Sequence, residues 1–232
     1  MQIDGTRPLG KRAFQVEAAS SKGRRHSHNE DAYLVNAEAR IFAVADGMGG
    51  HREGYVASNA IVSVLGHVLT PQEDFEHRIN TVSEAIHRAN HSLFSQTQKE
   101  AAADISGSTL VSVILDEDYA CCLWVGDSRL YLLRKDWLYL ISEDHARQDG
   151  ALTRAVGCMP DVEIDRRIIE IKEGDKLVLC SDGLIKGVNE EELADILSQG
   201  GEALAERLVA KAIVGGSLDD ITVVLLEIVG DD

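Results

Sequence analysis

The sequence is poor in the residues that build secreted or membrane-spanning proteins. Four cysteines are scattered through 232 residues, mostly within apolar runs and without metal-ligand spacing. They read as buried, reduced thiols of a cytosolic protein rather than as a disulfide framework. Three prolines and no low-complexity stretch leave no linker-like break, so one domain is expected over residues 1–232. No run approaches the ~20 apolar residues of a membrane span. The opening MQIDGTRPLGKR has no apolar signal core, which points to a cytoplasmic location. Bases are outnumbered 23 to 39 by acids, for a formal charge of −16. That field repels nucleic acid and anionic membrane, which both need a basic face, and neither is expected as a partner.

Several binding motifs are missing as well. The stretch FAVADGMGGHREG, residues 42–54, has the strand–glycine–helix look of a phosphate loop. A dinucleotide fingerprint would need glycines at 47, 49 and 52, but position 52 is Arg; no Gly-Lys-Ser/Thr for a P-loop occurs anywhere. Eight histidines offer no zinc motif. His87 and His91 are four apart without the glutamate of H-E-x-x-H, and they read as solvated.

What the chain does have is apolar periodicity. Short or alternating apolar runs predict strands at 14–18, 32–35, 41–45, 109–115, 120–125, 130–133, 138–141, 164–171, 176–180 and 221–228. Val56, Ala60, Val64 and Val68 predict one helix, and Phe75, Ile79, Val82, Ile86, Ala89 and Leu93 draw the stripe of a second. Two more helices are expected at 190–198 and 202–213. Many strands with helices arriving in pairs do not make βαβ repeats. They predict an α+β domain of mainly antiparallel sheets covered by helical hairpins.

Acids stand where the apolar runs end. HNEDAY carries Glu30 and Asp31, VADGMGG carries Asp46, LCSDGL carries Asp182, and GSLDDITVV carries Asp219 and Asp220. Each alone has the composition of an ordinary turn. Together they could meet at one end of the sheets, where uncompensated carboxylates would repel one another. Divalent cations remove that repulsion, and oxygen-only ligands favour Mg2+ or Mn2+ over zinc. Glycines beside Asp46 allow a close backbone approach, so the Gly47 carbonyl is a further candidate ligand.

In order, HNEDA, VADGMGGH, DISGST, VGDSRLY, DH, LTRAVG, LCSDGL and GSLDDITVV resemble the motifs of the metal-dependent serine/threonine protein phosphatases of type 2C, over residues 23–228. The resemblance implies a four-layer α-β-β-α sandwich, in agreement with the layered reading. It implies a Mg2+/Mn2+-dependent enzyme hydrolysing phosphoserine and phosphothreonine on proteins through a metal-bridging hydroxide, with two ions and a third, weaker one. By position, Asp46 matches the bridging ligand, Gly47 the carbonyl ligand, and Asp182 and Asp219 the other direct ligands. Glu30 and Asp31 match acids that hold metal-bound waters, and Asp104 an acid of the third ion. Asp127 and Ser128 match supporting positions in a turn near the site. A bacterial Ser/Thr kinase is the implied opponent, its phosphoproteins the substrates, and a monomer the expected state. One such kinase could control a secretion system, as in some bacteria that use the family. The alternative is a weak or inactive phosphoprotein-binding module on the same fold.

Four departures from the family pattern stand out. His26 replaces the usual phosphate-gripping arginine, which leaves Arg25 or protonated His26, with Arg24 nearby, for that role. Met48 replaces a histidine found in some members; it cannot donate a proton, and His51 is the nearest histidine. Between EDH and LTRAVG only ARQDGA remains of a flap, which implies an open groove and broad access for phosphoproteins. Asp220 replaces a common asparagine and reads equally as an aid to metal binding or as a surface acid. Cys158 sits in no cysteine–arginine phosphatase loop and is not needed as a nucleophile.

Overall fold

The computed structural model describes residues 2–10, 12–49, 53–69, 74–98 and 106–230. Two antiparallel sheets form its centre. The first runs, edge to edge, β1 (Gln2–Leu9), β2 (Arg12–Ser21), β12 (Ile221–Gly230), β11 (Lys176–Cys180), β8 (Arg129–Arg134) and β9 (Trp137–Leu140). The second runs β10 (Asp165–Glu170), β7 (Tyr119–Val125), β6 (Leu110–Leu115), β4 (Ile41–Met48) and β3 (Asp31–Asn36), with the two-residue β5 (Gly107–Ser108) on the end of β4. All ten predicted strands are present.

Alternate residues of the central strands bury into different cores. Phe42 and Val44 of β4 face the other sheet, where they pack with Phe14, Val16, Val224 and Leu226. Ile41, Ala43 and Ala45 face outward and are covered by α1 (Glu53–Gly66) and α2 (Phe75–Thr97). On the opposite side, Val178, Val223 and Leu225 are covered by α4 (Glu190–Gln199) and α5 (Leu204–Val214). The result is the expected α-β-β-α sandwich. Burial on both faces explains why these strands read as continuous apolar runs rather than as polar alternation.

Helix α2 buries the expected stripe and starts at Asp74, whose carboxylate accepts from the His77 N–H at 3.0 Å. His87 and His91 lie on its exposed side, as expected. Helix α4 starts in a reciprocal capping box between Asn189 and Glu192. Helix α1 is a correction. Its fully buried face is Gly54, Ala57, Ser58, Ile61 and Leu65; of the expected row, Val56 is 44% exposed, Ala60 and Val64 pack half-buried at the edge of that face, and Val68 is buried beyond the helix end. The sequence of α1 is apolar on more than one side, so periodicity left its rotation open. Gly54 fixes it, because only a glycine allows the helix start to sit against the Gly47 backbone.

Among the described residues no helix is long and apolar enough to cross a membrane. Cys121, Cys122 and Cys180 are buried free thiols and Cys158 is half-buried. Burial raises the Cys158 pKa, which disfavours a thiolate there.

Arg78 ties α2 to the second sheet. It is 2% exposed; its Nη1 donates to the Leu115 carbonyl at 3.0 Å and its Nη2 to the Ala39 carbonyl at 2.9 Å. Arg78→Ala strands both carbonyls, so a loss of about 2–4 kcal/mol is expected, read as a lower urea midpoint with unchanged slope. A shift under about 0.5 kcal/mol would show that these bonds carry little.

Candidate active site

In an antiparallel pair, the end of one strand and the start of its neighbour share an edge. That rule assembles the site from distant parts of the chain. Asp31 opens β3 and stands in register with Asp46 near the end of β4. Asp182 follows β11, and Asp219 and Asp220 precede β12, its neighbour in the other sheet. The two sheets bring these edges together. Glu30, Asp46, Asp127, Asp182 and Asp219 line one cleft of about 310 Å³, with Arg25, His26, Met48 and Lys186 on its walls.

Backbone contacts fix the carboxylates. The Glu30 carbonyl accepts from the Gly47 N–H at 3.1 Å and from Ser58 Oγ at 2.6 Å. A Cβ on Gly47 would collide with the Gly54 and Glu30 carbonyls, so glycine is required for this strand–helix approach. Thr109 braces Asp46 twice: its N–H donates to the Asp46 carbonyl at 2.8 Å, and its Oγ1 accepts from the Asp46 N–H at 3.2 Å. Ser128 Oγ lies 2.6 Å from Thr109 Oγ1, which makes Ser128 a support, as expected. Ser181 Oγ donates to Asp31 Oδ2 at 2.7 Å and accepts from the Thr222 N–H at 3.0 Å, so it joins the two sheets directly behind the cleft.

Crowded acids in a buried place resist ionisation. Burial, and then the charges of Asp31, Asp182, Asp127 and Asp219, raise the Asp46 pKa well above the ordinary range. Asp31 is pushed up to about 7, chiefly by burial, although hydrogen bonds from Ser181 and Thr222 favour its charged form. Burial and the Asp182 charge lift Asp127 to about 6. Asp219 goes the other way: burial opposes ionisation, but Lys186 more than offsets it. Asp31 Oδ1 and Asp182 Oδ1 are buried without a hydrogen-bond partner among the described residues. Buried anionic oxygens without donors, in a set of oxygen ligands only, fit hard divalent cations. Among the described residues no group of three or more such side chains stands close enough together to hold an ion as placed. Lys186 is bonded to both Asp182 and Asp219.

The family model for protein phosphatase 2C matches residues 20–215. The chain belongs to the protein phosphatase 2C family. A serine/threonine phosphatase, Stp, of Listeria innocua is 33% identical over 92% of the chain and 96% of its own length. The serine/threonine phosphatase PstP of Mycobacterium tuberculosis is 31% identical over 94% of the chain; the chain spans 46% of that longer relative. PppA of Pseudomonas aeruginosa, described as a key regulatory component of T6SS, superposes with a TM-score of 0.87 at 31% identity over 97% of this chain and 100% of its own. The PstP catalytic domain solved with two manganese ions superposes with a TM-score of 0.82 at 31% identity over 93% and 98%. Two Mn2+ ions in that relative match the cofactor expected here.

Within this phosphatase 2C fold, two of the departures prove to be one. Asp220, 3% exposed, is neither a surface acid nor a cleft ligand. It accepts from the Gly23 N–H and the Glu30 N–H, both at 2.7 Å, and its Oδ2 lies 2.9 Å from His26 Nδ1. Burial opposes protonation of His26, but the Asp220 bond together with the charges of Asp220, Glu30 and Asp219 outweighs it, and the His26 pKa is raised. The shortened flap, residues 146–151, is an ordered hairpin closed by the Ala146–Leu152 bridge, and Gly150 and Leu152 border the cleft. Asp104 and His51 lie outside the described residues. Arg25 lines the cleft, whereas Arg24 does not. Asp127 enters the cleft itself rather than merely turning the chain. Lys186, inside LCSDGLIKG, was missed because its importance depends on Asp219, which is remote in sequence.

Proposed function

We propose that this chain is a Mg2+/Mn2+-dependent phosphatase that removes phosphate from phosphoserine and phosphothreonine on proteins, opposing a bacterial Ser/Thr kinase. The observation that carries this reading is the convergence, from two sheets, of buried and half-buried carboxylates, among them Asp31 and Asp182, each with a buried oxygen that has no partner among the described residues. Two divalent ions, when bound, would supply hydroxide at neutral pH and screen the phosphoryl charge. Asp46 and the Gly47 carbonyl would hold them from one sheet, and Asp182 and Asp219 from the other. Glu30 and Asp31 would orient water, and Asp104 would serve a third ion.

Substrate binding falls to other groups. Asp220 holds Nδ1 of His26, which frees the other ring nitrogen for a phosphoryl oxygen, and Arg25 adds a fixed positive charge. The short hairpin leaves the groove open to folded phosphoproteins. A full set of acids argues against an inactive binding module. Monomeric action in the cytoplasm agrees with the acidic surface. The likeness to PppA supports an opposing kinase that controls a secretion system.

The test is phosphate release from a phosphothreonine peptide and an aryl phosphate, with Mn2+ or with EDTA. Turnover is expected only with Mn2+, and EDTA-resistant turnover would overturn the two-ion reading. Arg25→Ala and His26→Ala should each lower kcat/KM by roughly tenfold, mainly through KM. Unchanged kcat/KM in both would remove them from phosphate binding.

A further inference from the structure

Lys186 is placed by local geometry. Helix α3 (Asp182–Ile185) is a single turn, and the Lys186 N–H closes it on the Asp182 carbonyl at 3.0 Å. Position i+4 returns the side chain over position i. Its ammonium Nζ therefore lies 2.5 Å from Asp182 Oδ2 and 2.7 Å from Asp219 Oδ2. These are the two acids expected to hold a divalent ion from the first sheet. The side chain is 43% exposed, so its flexible stem can swing into solvent without disturbing a core.

We propose that Lys186 is a built-in counter-ion that occupies the seat between Asp182 and Asp219 and competes with the divalent ion for it. The inference rests on the metal-site reading above. An ammonium and a metal cannot share the same carboxylate oxygens, so each ion bound there must first displace Lys186. The cost of that displacement is subtracted from the metal affinity. In return, the metal-free protein is spared the repulsion of two neighbouring carboxylates.

The two sides of the cleft differ in this respect. Asp31 and Asp46, on the second sheet, face each other in register, and among the described residues neither is ion-paired with a lysine. Lys186 thus makes the Asp182–Asp219 side the weaker seat and gives the two ions an order of binding. Lys186 also borders the adjoining recess that holds Arg129 and Asp144.

Calorimetric titration of Mn2+ into the metal-free protein tests the idea, alongside thermal melts without metal. Lys186→Met and Lys186→Gln should bind Mn2+ about tenfold more tightly, a gain of about 1.4 kcal/mol. Their metal-free melting temperatures should fall and their Mn2+-induced rise should grow, while Lys186→Arg should resemble the native chain. Unchanged or weaker Mn2+ binding in both neutral variants would overturn the competition. Failure of the site reading would look different: Mn2+ binding would be absent from the native protein or untouched by Asp182→Asn.

Discussion

Asp46→Asn should cost at least about a thousandfold in Mn2+-dependent turnover while the metal-free protein becomes more stable. The two effects have one cause. Asp46 lies at the centre of the acids, where burial and four neighbouring carboxylates oppose its charge. A neutral amide of the same shape removes that repulsion, so the apo melting temperature rises. On the proposed two-ion reading the same amide would not hold both cations, and with the pair would go the activated water and the screening of the phosphoryl charge. Asp182→Asn should lose activity similarly. It should not gain as much apo stability, because Asp182 is already paired with Lys186. Steady-state kinetics and calorimetry on the same samples decide the matter. More than a tenth of native turnover in Asp46→Asn would refute a bridging role.

The metal-free protein should also lose stability as pH rises from about 4 to about 8, and Mn2+ should remove the carboxylate share of that loss. Asp31 has an ordinary value of 3.8 and is pushed up to about 7 in the fold. Between those values the folded state binds more protons than the unfolded state, so stability falls with rising pH. The full shift corresponds to about 4 kcal/mol. His26 acts in the same direction. Its raised pKa means that the Asp220 bond stabilises the fold at low pH and is lost as pH passes through the folded value. Asp219 contributes nothing in this window, because its value is lowered and its loss comes below about pH 4. Urea unfolding at several pH values, with and without Mn2+, measures the difference. A flat or rising profile in the metal-free protein would sink this account.

The strands were legible because burial on both faces leaves apolar runs that few other structures need. Asp31, Asp46, Asp182 and Asp219 were legible because they sit at the ends of those runs, and their family motifs are local. Features that depend on contacts remote in sequence were not. The pairing of His26 with Asp220 spans 194 positions, and nothing near either residue announces the other. The grip of Lys186 on Asp219 is of the same kind. The rotation of helix α1 was legible only in part, because a helix with apolar residues on several sides has no unique stripe: Val56 faces solvent while Ala60 and Val64 reach the core. Helix α3 and strand β5 are too short for any period to register. Strand β1, in MQIDGTRPL, lacks alternation because it is an edge strand that packs on one neighbour only.

The cleft also has a mechanical consequence. Asp31 and Asp46 belong to one sheet, and Asp182 and Asp219 to the ends of the other, so the distance across the cleft is set by how far apart the sheets stand. That separation is held by interior side chains such as Phe14 and Phe42, whose rings meet edge to face with centroids 5.7 Å apart. The hydrophobic interior therefore acts as a spacer for the carboxylates. Thinning it at Phe14 or Phe42 would retune which cation fits between the sheets, without touching a ligand.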